Sequence, residues 1–94
     1  MIDELKEEEV KKLISFLEEK DIPFEKDMKE IRIKGEVTHS NLYYREIEIK
    51  TINEKNIKVQ YSDLLIIIGN DKEGKIINID SVILYEKGYL MIRY

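Results

Sequence analysis

A chain of 94 residues suffices for one domain with one core, and its 16 basic and 20 acidic side chains leave a net charge of −4, which offers polyanions no global attraction. With no cysteine, disulfides and thiolate metal sites are excluded, and with a single histidine, His39, so is a multi-histidine centre. No run approaches the ~18 apolar residues of a membrane span, and the acidic opening Met1-Ile2-Asp3-Glu4 lacks the basic start of a secretory signal; a single cytoplasmic domain over 1–94 with no membrane partner is expected.

The first element predicted is an amphipathic helix over about 3–20. Asp3 stands where a cap belongs, and Ile2, Leu5, Val10, Leu13, Ile14 and Leu17 fall on one stripe with Phe16 at its edge. Glu7–Lys11 and Glu8–Lys12 have the favourable i,i+4 orientation, worth about 0.3–0.5 kcal/mol each. Asp21-Ile22-Pro23 ends the helix, because the residue before a proline avoids the α region.

Five or six strands follow, over about 30–38, 43–52, 56–61, 64–69, 75–85 and 89–94. Ile31, Ile33 and Val37 alternate with Arg32, Lys34 and Glu36, as a half-buried strand does. Gly35 falls on the core parity of that strand and implies a bulge or a close backbone approach. Thr38-His39-Ser40-Asn41 reads as a polar loop. Ile47 and Ile49 alternate with Glu46, Glu48 and Lys50, and Ile57, Val59 and Tyr61 form the next strand after the turn Asn53–Asn56. Leu64 to Ile68 is a continuous apolar run. Glu86-Lys87-Gly88 suits a three-residue hairpin loop, which would set Tyr85 opposite Tyr89 and Ile83 opposite Met91. Both faces of that hairpin would then be apolar. One helix about 10 Å wide covers two or three strands, so self-association through Ile83, Tyr85, Tyr89 and Met91 is expected, with a closed barrel as the competing solution.

Four local patterns bear on chemistry. Gly69-Asn70-Asp71-Lys72-Glu73-Gly74-Lys75 has the spacing of a phosphate-cradling loop after an apolar strand. The residue after Lys75 is isoleucine, where a magnesium-binding hydroxyl belongs, and strand follows where a helix is needed, so a hairpin loop is the better reading. Glu48-Ile49-Lys50, with Asp27 upstream, has the E-x-K form with which metal-dependent nucleases orient water, in a chain so charged that the match arises easily. His39 has no visible partner. Tyr43, Tyr44 and Arg45 are the favoured binding residues, since exposed aromatics beside arginine make hot spots and can stack bases; on a strand the two rings would face opposite ways.

The fold class expected is α+β, an N-terminal amphipathic helix on a curved, mostly antiparallel sheet. One helix followed by about five strands resembles the layout of Sm-like and other SH3-like small barrels. The likeness is one of element order, and no site residue follows from it. The reading favoured is a small non-catalytic binding or regulatory protein acting through protein–protein contacts, with no cofactor and no metal. Isoleucine occurs 17 times and alanine never, and Glu plus Lys make 27 residues. That bias fits an AT-rich thermophile and an accessory or inhibitor protein of a virus or mobile element. A nucleic-acid-binding small barrel using Tyr43, Tyr44, Arg45, Lys34 and Lys50 is the alternative, and a minimal nuclease through Glu48 and Lys50 the third reading.

Overall fold

The structure is a computed structural model that describes residues 3–94; Ile2 and the Asp3 side chain, and with them the expected cap, lie outside the described residues. One helix, α1 (Asp3–Glu19), precedes β1 (Phe24–Asp27), β2 (Glu30–Asn41), β3 (Glu46–Thr51), β4 (Asn56–Tyr61), β5 (Ile66–Gly69), β6 (Gly74–Ile77), β7 (Val82–Glu86) and β8 (Tyr89–Arg93). The class is α+β, a helix packed on an open antiparallel sheet of eight strands.

The helix buries Val10, Leu13, Phe16 and Leu17. A fully buried leucine of this kind contributes about 2 kcal/mol. Phe16, placed at the edge of the stripe by periodicity, is 2% exposed, while Leu5 stands 56% exposed. Glu7 and Glu8 do not form the expected pairs; Lys12 turns to Glu9 at 2.7 Å. The helix closes on itself at Asp21, whose φ of 55° lets the Ile22 N–H reach the Leu17 carbonyl and the Asp21 N–H the Glu18 carbonyl. That is a Schellman closure with aspartate in the place glycine usually takes, and Ile22 is buried beside the helix end.

Along the sheet the strand order is β6-β5-β4-β3-β2-β8-β7, with β1 paired to β2 off this path. β2 organises it. Its first half pairs with β1 on one edge and β8 on the other, and its second half with β3. Lys34 is the changeover: its N–H donates to the Pro23 carbonyl and its own carbonyl accepts from Ile52. At the next residue, Gly35, a Cβ would strike the Lys50 carbonyl and lie 2.7 Å from the Thr51 Cα. The close approach expected from a glycine at core parity is therefore present.

The sheet is strongly curled and still open. β6 and β7 are its outermost strands, yet only residues 78–81 join them. Such a link reaches at most about 17 Å, whereas seven flat strands at about 4.8 Å spacing would set their edges about 29 Å apart. Closure as an SH3-like barrel does not occur. The Asn78 N–H, at the point where β6 would turn toward β7, donates instead to Glu9 Oε1 of the helix at 2.8 Å. Ile31, Ile33, Ile47, Ile49, Val59, Ile66, Ile68, Ile77, Ile79, Leu90 and Ile92 fill the space beneath the helix.

The expectation of five or six strands is corrected to eight. β1 is exposed at three of its four positions, so no alternation marks it. The run 75–85 divides into β6 and β7 because Ile77 and Ile79 both stay buried while the chain crosses between sheet edges. β3 begins at Glu46, and β5 at Ile66. Thr38 to Asn41 belong to β2, where a bulge between Val37 and His39 shifts the register, so His39 is a strand residue opposite Glu48.

The last hairpin is also in a different register. Glu86 stands opposite Tyr89 and Ile83 opposite Ile92, leaving Lys87-Gly88 as a two-residue connection with Gly88 at φ 97°. The Gly88 carbonyl accepts from Gly35 N–H at 3.0 Å, which ties this turn to β2.

Candidate functional site

The hairpin between β2 and β3 carries the most exposed aromatic cluster. Asn41 ends β2, and its side-chain oxygen accepts from the Tyr44 N–H at 3.2 Å, an Asx closure that makes residues 42–45 a tight turn. Arg45 completes it at φ 51°. Leu42 is 77% exposed, Tyr43 86% and Tyr44 68%. The two rings, expected on opposite faces of a strand, meet edge to face with centroids 4.9 Å apart. This arrangement suits their opposite edge and face charges.

The neighbouring turn between β4 and β5 is strapped to the base of this tip. Tyr61 N–H donates to the Arg45 carbonyl, and the Arg45 guanidinium reaches Asp63 at 2.9 Å. Leu64, next in the chain and assigned by its sequence to an apolar strand, is 74% exposed in that turn. Leu42, Tyr43, Tyr44 and Leu64 thus form an apolar end to the molecule. Leu42 and Leu64 escape sequence reasoning because each adjoins a run of apolar or strand-like residues.

The charges around the tip are paired internally. Lys58 meets Glu46 at 2.8 Å, beside the tip; Lys50 meets Glu54 at 3.1 Å at the opposite end of β3. The ammonium of Lys58 holds the Glu46 carboxyl below its ordinary range, and the carboxylate in turn raises Lys58. Arg45, expected as a binding residue, spends its guanidinium on Asp63.

The other expected constellations are not assembled. Asp27 lies opposite Glu30 and Glu48 opposite His39; nine residues of β2 separate these positions, about 30 Å at 3.3 Å per residue. Glu48 lines a shallow polar concavity of about 440 Å³ with Thr38, Lys58, Asn70 and Asp71. No group of three His, Cys, Asp or Glu placed to hold a metal occurs among the described residues. Gly69–Lys75 is a hairpin loop in which Asn70 Oδ1 accepts from the Lys72 and Glu73 N–H groups.

The four residues expected at a self-association face are divided. Ile83 and Tyr85 share a face with Ile92 and Leu90, while Tyr89 and Met91 lie on the opposite one with Lys34, Arg32 and Leu84. Met91 is 7% exposed without any partner. Its cover includes the Arg93 guanidinium, 3.9 Å from Sδ, and the paired Arg32, which also lies 6.0 Å from the Tyr89 ring. Burial and the Glu86 carboxylate push the Tyr89 hydroxyl above its ordinary pKa. Charged side chains with long stems therefore cover the outer face around Met91, while Val82 and Leu84 on the same face stay 54% and 42% exposed.

No helix among the described residues is long and apolar enough to cross a membrane. Comparison of the chain with protein-family models, curated proteins and solved structures gave no match.

Proposed function

We propose that this is a small non-catalytic binding or regulatory protein, an accessory or inhibitor that docks on another protein through the end formed by Leu42, Tyr43, Tyr44 and Leu64. The observation that carries the reading is the exposure of three large apolar side chains in succession on a turn held by Asn41 and Arg45. A preorganised turn with adjacent tyrosines loses little entropy on docking, and such anchors dominate protein interfaces. A protein partner is favoured over nucleic acid because the nearby cations Arg45 and Lys58 are each paired with a carboxylate, leaving little to meet a phosphate backbone.

A second copy of the chain is a further protein partner. β7 is an outer strand with Val82, Leu84 and Tyr85 between 42% and 54% exposed, and unpaired edges of this kind add strands from another chain.

The test places a photo-crosslinking amino acid at Tyr43 and, as control, at Lys72, in cells of the source organism. Crosslinks to one protein from position 43, lost on Tyr44→Ser, are expected. Crosslinks to nucleic acid from position 43, with salt-sensitive retention on polynucleotide, would replace the protein reading. Light scattering of the purified chain reads the second partner; a monomeric mass at micromolar concentration removes it.

A further inference from the structure

At the far end of β2 from the tip lies a groove of about 470 Å³ between α1, the turn joining β1 to β2, and Tyr94. Its floor and lip are apolar: Val10 and Ile14 from the helix, the Tyr94 ring, and Met28, which is 85% exposed. Its charged lining is Lys6 and Lys11 on the helix side, Lys26 and Lys29 on the turn side, and one carboxylate, Glu7. The chain as a whole carries net charge −4, so the sign is reversed here.

These lysines differ from six of the other nine in being unpaired, and from Lys72, Lys75 and Lys87 in being gathered around one cavity. Lys12, Lys20, Lys34, Lys50, Lys55 and Lys58 each have a carboxylate within 4.0 Å. Among the described residues none of the four groove lysines has one. Lys26 donates only to the neighbouring Asp27 carbonyl, at 3.4 Å, and Lys6 lies 5.9 Å over the Tyr94 ring. The acidic residues flanking the turn are already engaged, since Arg32 bridges Glu30 at 2.9 Å and Asp27 at 3.8 Å.

The groove is held open by built structure. Tyr94 N–H donates to the Lys29 carbonyl at 2.8 Å, and Asp27 Oδ1 accepts from the Met28 N–H, which fixes the turn. Tyr94 also keeps its hydroxyl buried with no hydrogen-bond partner among the described residues, an unused polar group on a lining residue.

We infer that this groove is a binding site for a small amphiphilic anion, with a carboxylate or phosphate head among Lys6, Lys11, Lys26 and Lys29 and an apolar body on Val10, Ile14, Met28 and Tyr94. The volume lies in the range of small-ligand pockets, about 300–1,000 Å³. Four like charges around one cavity repel each other, and an anion relieves that repulsion. An apolar body is required because the floor would otherwise remain wetted hydrocarbon. The thioether of Met28 can adapt to the body that enters. This site is independent of the proposed protein-docking tip.

The experiment titrates the full chain, by calorimetry and by amide chemical shifts, with four probes below their micelle-forming concentrations: dodecanoate, dodecyl phosphate, dodecanol and dodecyltrimethylammonium. Saturable one-to-one binding of at least one anion is expected, at least tenfold tighter than dodecanol, with shifts at Val10, Ile14 and Lys29; the tighter anion identifies the head group. The double variant Lys6→Glu/Lys29→Glu should weaken it at least tenfold. Lys72→Glu/Lys87→Glu, which changes exposed loop lysines, and Tyr43→Ser/Tyr44→Ser should each change it less than twofold. Equal binding of dodecanol, no saturation up to about 1 mM, or anion binding unchanged in the Lys6/Lys29 variant would each overturn the inference.

Discussion

The two ends of β2 present opposite chemistry on one backbone. At Glu30 the strand is flanked on both edges, by β1 and β8, and the adjoining groove gathers four lysines against one carboxylate, Glu7. At Asn41 it is paired on one edge only, with β3, and the cap is apolar with its neighbouring charges paired. Leu42 to Tyr44 are apolar and largely exposed, while Lys6, Lys11, Lys26 and Lys29 have no carboxylate within 4.0 Å among the described residues. In each case a side-chain class sits in surroundings that leave its preferred interaction unmet. The lesson is that a recognition surface is found by what is left unsatisfied, and that the two ends call for different partners.

The largest expected effect separates the stability of the two halves. Ile33 is fully buried between both flanking strands, whereas His39 is exposed near the tip. Ile33→Ala should cost about 3 kcal/mol, and His39→Ala less than about 0.5 kcal/mol, read by urea unfolding. Comparable losses at the two positions would mean that the tip half is packed as firmly as the groove half, and the comparison would fail.

The next effect lies at the junction. Gly35→Ala puts a methyl against the β3 backbone, at Lys50 and Thr51, where the obstacle is main chain and cannot swing aside. A loss of about 2 kcal/mol is expected, within the ordinary cost of overpacking. A neutral result would show that β2 and β3 can separate there without strain.

Much of the fold is legible in the residues for physical reasons. The helix, β4 and the core parity of Ile31, Ile33, Ile47, Ile49, Ile57 and Val59 follow from periodicity, because half-buried elements must alternate. The strand edges do not. β1 is held by backbone pairing to β2 with only Phe24 packed on the core, and backbone hydrogen bonds leave no mark in side-chain identity. The hairpin register depends on Gly88 bonding Gly35, a contact across 53 positions that no local rule contains. At the tip, Tyr43 and Tyr44 stand out because aromatics beside a turn residue are few. The groove is invisible in sequence, since Lys6, Lys11, Lys26 and Lys29 scatter among other lysines and only the fold collects them.

Acid should weaken the frame that both ends share. Glu9, Glu25 and Glu46 are each held below the ordinary carboxylate value of 4.5, in each case first by a lysine that hydrogen-bonds the carboxylate: Lys12, Lys34 and Lys58. A depressed folded pKa stabilises fully above the unfolded value and is lost as pH falls through the folded one. Unfolding free energy should therefore be level from pH 7 to about 5 and decline below about 4.5. Glu46 serves the tip, Glu25 the groove half and Glu9 the helix. Replacing Lys58 by methionine should remove part of that decline, and an unchanged profile would show that the pair near the tip carries no weight.

The smallest effect tests whether either surface can be separated from stability itself. Asp21 holds the left-handed position that closes α1, with φ 55°, and lies on neither the tip nor the groove. A non-glycine residue there is disfavoured by up to about 1 kcal/mol. Asp21→Gly relieves that strain and keeps the carbonyl that accepts from the Asn53 side chain at 2.8 Å. It gives up only a loose 3.9 Å pair with Lys55, whose partner carboxylate is 88% exposed, and exposed pairs of this kind contribute almost nothing. The glycine also loosens the unfolded chain, which returns part of the gain. The net expectation is about 0.5 kcal/mol of added stability, a rise of about 2–4 °C in Tm. Crosslinking from the tip and anion binding in the groove should both stay as they were. A fall in Tm would show that the Asp21 carboxylate contributes more than the backbone strain costs. A change in either binding function would show that the surface responds to the helix end and is not set by its own residues.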